Sequence, residues 1–329
     1  MSNKVICVGE ALIDRLQSPC KNNFIDYLGG APANVCFALK KLNINSAFIG
    51  TLGDDIHGKR FIAEFKDQEI DTSFLKIDQY SSTRIVKVLR DDTGDRYFAG
   101  FEKMETNFFA DALSDKSFLF NREQELNHLL NTTKFIVTGT ILLSSSNSEN
   151  FINSFLEYVQ KFKLRIVIDL NWRQVFWDHS NDSKLLSNLH RIDKVKTFLE
   201  FANILKLAKE EAILFFDNCN PKQISNELSN KPDVIITDGP NPVSWFINGF
   251  EGKSHISHSE KIVDTTGAGD AFLAGFISKC FKCSNSFSQI EKNINFAIAC
   301  GLLTCLNEGA IDSQPNLQEV SQFLSNLES

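Results

Sequence analysis

The chain has 329 residues, 43% of them hydrophobic and 23% charged, with 41 acidic against 34 basic side chains and a formal net charge of -7. That balance suits a soluble globular protein with a large core, and an acidic excess without a basic block excludes a surface that collects nucleic acid. An anionic small molecule stays open, because a nest of backbone N–H groups holds one without net positive charge.

The opening stretch MSNKVICVGEALID has one lysine and an apolar run broken by Gly9 and Glu10, so it reads as a first strand over 5–9 and not as a secretory signal. Near-continuous apolar runs recur at 46–50, 135–140, 165–170, 202–207 and 233–239. Such runs suit parallel strands buried on both faces. Amphipathic segments at 31–43, 149–162 and 210–216 alternate with them, which argues for a doubly wound α/β fold with ligands bound beyond the carboxyl ends of the strands.

One region breaks the rhythm. Residues 81–100 set Ile85, Lys87 and Leu89 against Val86 and Val88, turn at DDTGD and continue as a second strand, the pattern of an exposed hairpin. The stretch after Asp14 supplies matching edge strands. Together they predict a small β-sheet lid, from segments at about 15–29 and 82–102, within a single domain spanning 1–329. Nothing repetitive or linker-like marks a second domain. No apolar run reaches the roughly 18 residues of a membrane span, so the expected location is cytoplasmic, with no membrane partner.

The eight cysteines are mostly scattered in apolar surroundings and read as reduced core thiols. Only Cys280 and Cys283 form C-x-x-C, and neither a second pair nor a nearby histidine completes a zinc set. His255 and His258 read as exposed. The glycosylation patterns at Asn131 and Asn181 carry no meaning without a secretory route.

Two phosphate-binding patterns fail on inspection. GDDIHGKR, residues 53–60, nearly matches a P-loop, but Arg60 stands where the metal-binding hydroxyl belongs and Asp54 and Asp55 put negative charge in the cradle. A dinucleotide fingerprint would need a third glycine where Phe272 stands. What remains is DTTGAGDAFLAGF, residues 264–276. The small residues Gly267, Ala268 and Gly269 let consecutive N–H groups point into one cavity, and a helix from Ala271 adds its positive end. This is an anion hole suited to a phosphoryl group in transfer. Asp270 beside it is either an ordinary helix N-cap or the base that deprotonates an attacking hydroxyl.

GGAPANVCFALKKL (29–42) and DTTGAGDAFLAGF together resemble the paired signatures of the ribokinase-like family of ATP-dependent sugar kinases. Further motifs follow in order: GEALID (9–14), GTLGDDIHGKRF (50–61), Ala110 and Asp111 with Leu113, DLNWR (169–173), TDG (237–239), and Gly309 with Ala310. Within the family the combination is most similar to fructokinases, with 2-keto-3-deoxygluconate kinases close behind. The resemblance implies a ribokinase-like fold, ATP with Mg²⁺, and Asp270 as catalytic base over the Gly267–Gly269 anion hole. It also implies that Asp14, Gly30 and Asn34 contact sugar hydroxyls, and that Asn171 and Arg173 reach the sugar or the phosphates. Lys206 and Glu210, with Glu211 as the alternative acid, would serve the nucleotide and Mg²⁺. Thr237 and Gly239 resemble the nucleotide turn, Asn295 and Ala299 lie on the helix that borders adenine in the family, and the carbonyls of Asp264 and Thr266 stand where many members hold a monovalent cation such as K⁺.

Three departures concern specificity: Leu207 where asparagine is common, Pro242 after the TDG turn, and GFEKMETNFFAD in place of a typical fructokinase segment, with Lys103 as the candidate for its arginine. The expected activity is phosphorylation of fructose. Ribose, 2-keto-3-deoxygluconate or a nucleoside are alternative acceptors, and a sugar-binding regulator without catalysis is the alternative class. The exposed lid edge invites a homodimer.

Overall fold

The computed structural model describes residues 4–17, 23–90, 96–102, 109–179, 188–257, 261–281 and 286–328. The turn at 91–95, Lys103, Asn181, His258, Cys20 and Cys283 lie outside them, as do the side chains of Tyr97 and Phe98.

The chain begins with β1 (Lys4–Val8), leaves for β2 (Leu12–Gln17) and β3 (Phe24–Gly29), and returns through α1 (Ala31–Lys41) to β4 (Asn45–Gly53). After α2 (Ile56–Asp67) and β5 (Leu75–Asp78) comes a second excursion, β6 (Ile85–Arg90) and β7 (Arg96–Phe101). Strand and helix then alternate: α3 (Lys116–Phe120), α4 (Glu123–Asn131), β8 (Thr133–Thr138), α5 (Ser146–Val159), β9 (Arg165–Asp169), α6 (Gln174–His179), α7 (Asn188–Leu199), β10 (Ile204–Ala208), α8 (Lys209–Phe216), α9 (Pro221–Glu227) and β11 (Asp233–Asp238). A hairpin, β12 (Asn241–Ile247) and β13 (Phe250–Ser254), precedes α10 (Ala268–Cys280), α11 (Phe287–Thr304) and α12 (Leu317–Glu328).

The main sheet has the order β13-β12-β11-β10-β9-β8-β1-β4-β5. All neighbours from β11 to β5 are parallel, and β12 and β13 add an antiparallel edge. Alternate residues of β1 enter two different cores. Val5 and Cys7 pack with α1, α10 and α11 on one face, while Ile6 and Val8 pack with α4, α5 and α7 on the other. Both faces are covered, which is why these strands are apolar throughout.

The small sheet has the order β3-β2-β6-β7, antiparallel within each hairpin and parallel between β2 and β6. It starts at Leu12, three residues before the expected boundary, and β2 lies inside it and not at its edge. Period-2 alternation then sorts the two faces. Leu12, Asp14, Leu16, Val86 and Val88 face a cavity, and Arg15 and Lys87 project the other way into ion pairs with Asp26 and Glu102.

Candidate active site

The lid's inner face, the carboxyl ends of β1, β9, β10 and β11, and the start of α10 enclose a cavity of about 390 Å³. That is the place where a parallel sheet offers its strand ends and helix N-termini to a ligand.

Gly267 is the N-cap of α10, with φ 78. A Cβ there would come within 2.9 Å of Ala310, so only glycine fits both the left-handed backbone and the contact. Asp270 stands in the first turn, and no side chain caps the helix. The N-cap alternative for Asp270 is thereby removed: its carboxylate accepts a hydrogen bond from Asn34 Nδ2 at 2.8 Å. Gly267 and Gly269 line the cavity. Ala268 does not, and its amide donates to the Thr265 carbonyl at 3.3 Å.

α1 starts at Gly30, φ 99, with Pro32 in its first turn, and this start carries Asn34 to Asp270. The Gln314 side chain donates to the Asn34 carbonyl. Asp14, on β2, lies over Gly29, where a Cβ would meet its carboxylate at 2.2 Å. Gly29 therefore makes room for an acid, and Gly30 for the backbone at Glu10. Asn171, φ 41, turns the chain after β9 so that Asn171 and Arg173 both line the cavity.

Burial raises several of the carboxylates that share this space. Burial pushes Glu10 up to about 8, helped by Asp111 and Asp270 and opposed by backbone hydrogen bonds. It pushes Asp14 up to about 7 against the pull of Arg173. Asp270 rises to about 6 through burial and the Asp169 charge, held down by Asn34, Lys206 and Arg173. On the facing strands Lys206 pairs with Asp169 at 2.8 and 3.0 Å. Burial alone would lower the lysine, but the Asp169 charge and hydrogen bonds hold it above its ordinary value. A Cβ on Gly269 would lie 3.1 Å from the Lys206 ammonium, so a fixed positive charge sits beside the amino end of α10.

Of the residues singled out in the sequence, the cavity gathers Asp14, Gly30, Asn34, Asn171, Arg173, Lys206, Thr237, Asp264, Thr266, Gly267, Gly269 and Asp270. Glu210 is exposed, and the neighbouring Glu211 lines the cavity instead. Glu211 accepts from the amides of Trp172 at 2.6 Å and Ala208 at 2.7 Å, and burial raises its pKa. Gly239, Asn295 and Ala299 lie outside the cavity wall; Asn295 Oδ1 is buried with no hydrogen-bond partner. The Asp264 carboxylate accepts from Thr266 N and Oγ1 and from Gly309 N, which ties the glycine-rich turn to the loop after α11. Glu10 and Asp169 also line the cavity, and the signal in the sequence that marks them is an acid at the end of an apolar strand.

Among the described residues, no group of three or more His, Cys, Asp or Glu could hold a metal, and no helix is long and apolar enough to cross a membrane.

A family model described as pfkB family carbohydrate kinase matches residues 2–317. The chain is 27% identical over 340 residues to probable fructokinase-6, chloroplastic, of Arabidopsis thaliana, covering 97% of this chain and 82% of that one. It is 25% identical over 329 residues to the ATP-dependent 6-phosphofructokinase of Thermoanaerobacterium thermosaccharolyticum, covering 97% and 93%. The crystal structure of fructokinase with bound ATP from Xylella fastidiosa superposes with a TM-score of 0.85 at 21% identity, covering 100% of both chains.

Proposed function

The chain belongs to the pfkB family of carbohydrate kinases, and from that membership we propose that it transfers the γ-phosphoryl group of ATP to the 6-hydroxyl of fructose. The observation that carries this reading is the meeting of Asp270, Asn34 and the amino end of α10 in one cavity.

Asp270 takes the proton of the acceptor hydroxyl while the sugar oxygen bonds to phosphorus and the bond to the β,γ-bridging oxygen breaks, leaving ADP. The Gly267 and Gly269 amides and the Lys206 ammonium hold the charge that spreads over the migrating group. Asp14, Gly30, Asn34 and Asn171 orient the sugar, and Arg173, near both Asp14 and Asp270, bridges sugar and phosphate. Thr237 and Gly239 serve the nucleotide turn. α11, which carries Asn295 and the fully buried Ala299, backs the nucleotide from outside the cavity wall. Closure of the lid excludes water, which protects ATP from hydrolysis.

Mg²⁺ fits this site only through phosphates and water: both Glu211 oxygens accept backbone N–H bonds and Asp169 is paired with Lys206. When bound it neutralises phosphate charge. A monovalent cation would draw on the carbonyls of Asp264 and Thr266, because the Asp264 carboxylate already accepts three hydrogen bonds. Phe24 and Ile25, exposed on the edge strand β3, support a homodimer through the lid.

The test is coupled ADP release over fructose, fructose 6-phosphate, ribose, 2-keto-3-deoxygluconate and a nucleoside, with and without Mg²⁺ and K⁺. Fructose is expected to give the highest kcat/KM. A higher value for fructose 6-phosphate, the acceptor that the 25% identical relative makes the second reading, would replace it.

A further inference from the structure

Behind the lid wall of the cavity stands a buried arginine that the phosphoryl-transfer machinery does not use. Arg84 immediately precedes β6, and its carbonyl accepts the Ile13 amide, so it sits where the lid joins the main body. Its guanidinium pairs with the equally buried Asp111 through two bonds, Nε to Oδ2 at 2.8 Å and Nη2 to Oδ1 at 2.9 Å. The same group lies 4.0 Å from the ring centroid of Phe109, 4.7 Å from Phe101 and 4.9 Å from Phe176. Phe101 meets the other two rings edge-on, at 5.3 and 5.0 Å between centroids.

These groups come from four places in the chain: the root of β6, the end of β7, the segment at 109–111 and α6. Asp111 is itself anchored, its carbonyl accepting the Ser148 hydroxyl at 2.7 Å and the Ser114 hydroxyl at 3.3 Å. Of the five residues only Phe176 lines the cavity. There it joins Leu12, Leu16, Val86 and Val88 of the lid in an apolar wall around Asp14 that suits the carbon face of a sugar ring. A phenyl ring on a short helix has nothing intrinsic to fix its tilt. Here a planar cation stacks with it, and two charge-assisted bonds hold that cation in orientation, a combination lysine cannot reproduce.

We infer that Arg84 is a positioning residue for the acceptor: held by Asp111, it fixes Phe176 as the wall against which the sugar rests and joins that wall to the root of the lid. This rests on the reading of the cavity as a sugar site.

The test is a double-mutant cycle in the full chain, with fructose as acceptor and thermal melts confirming that each variant is folded at the assay temperature. Arg84→Lys and Phe176→Leu are each expected to raise the KM for fructose about tenfold, while kcat and the KM for ATP stay within about twofold. The double variant is expected to be no worse than the poorer single one, because both changes remove the same contact. Should Arg84→Lys fail to fold, Phe101→Leu removes one wall of the cage while leaving the ion pair, and its expected effect is the same. Equal changes in the KM for fructose and for ATP, a loss confined to kcat, or fold-changes that multiply in the double variant would overturn the inference while leaving the kinase reading intact. Failure of the unaltered protein to phosphorylate any sugar would overturn both.

Discussion

Asp270, Asp14 and Glu10 share one cavity and one cause of perturbation, burial, yet they end at about 6, 7 and 8. The order follows from what offsets burial. Asp270 has the Asn34 amide, Lys206 and Arg173; Asp14 has Arg173; Glu10 has only backbone donors. At about 6, Asp270 in its proposed role as base is ionised at neutral pH yet still basic enough to draw on a hydroxyl in the transition state. Asp270→Asn keeps the shape and the contact with Asn34 but loses the base, so kcat should fall by about 10² to 10⁴ while calorimetric titration finds fructose affinity within about threefold of the unaltered protein. In the proposed role of Asp270 the ionised form is the active one, so kcat/KM should rise as pH increases through about 6 and flatten above about 7, where Asp14 also ionises. The Asp270 charge raises Asp14, so the rise belongs to the pair and spans both values. A rate flat from pH 5 to pH 8 would remove Asp270 from the role of base.

At the level of elements, α1 and α10 bring Asn34 and Asp270 together, and the loop at 309–314 fixes them. Ala310 packs against Gly267, the Gly309 amide donates to Asp264, and Gln314 donates to the Asn34 carbonyl. Lys41, at the end of α1, closes the arrangement by donating to the carbonyls of Ile311 at 2.8 Å, Asp312 at 3.2 Å and Gln314 at 3.0 Å. Lys41→Met keeps the alkyl stem but strands those carbonyls. It should cost about 1–3 kcal/mol in denaturant unfolding and lower kcat by loosening the wall of the anion hole; Lys41→Arg should recover much of both. The same elements mark what was legible in advance. Strands β1, β4, β8, β9, β10 and β11 could be read because both their faces are buried, and α1 and α10 because glycine motifs open them. The hairpin β12–β13 could not: NPVSWFI alternates exposed and buried residues, and its opening Asn-Pro reads as a turn. Glu211 was distinguishable from Glu210 only once α8 was known to start at Lys209, since one residue rotates a helix by about 100°. The pairs Lys206–Asp169 and Arg84–Asp111 join residues 37 and 27 apart. The first depends on the register that sets Lys206 beside Asp169 in parallel strands, the second on how the lid folds back.

Across the whole molecule, the cavity lies between a sheet covered on both faces and a lid that leans over the strand ends, so the acids that line it are drawn out of water. Their ionisation then works against stability. Glu10, Asp14 and Asp270 bind protons more tightly in the folded chain than in the unfolded one, so the stability they favour at low pH is lost as pH rises from their ordinary values of 4.5, 3.8 and 3.8 through about 8, 7 and 6. Asp26, Asp71, Asp78 and Asp115 are shifted the other way by hydrogen bonds and neighbouring cations, and their contribution is lost as pH falls below the ordinary carboxylate range. The two trends meet in mild acid. Calorimetric melts should therefore place the maximum Tm near pH 5, with a decline toward pH 8, while kcat/KM rises over the same interval. Glu10→Gln keeps an acceptor for the Ala31 amide, which now bonds Glu10 Oε1 at 3.2 Å, and removes the largest of the three shifts. It should raise Tm at pH 8 by about 2–5 °C and leave Tm at pH 4 nearly unchanged. An unaltered protein equally stable at pH 5 and pH 8 would mean that the acids of the cavity remain hydrated in the free state, with a lid more open than the packing of Leu12, Leu16, Val86 and Val88 around Asp14 implies.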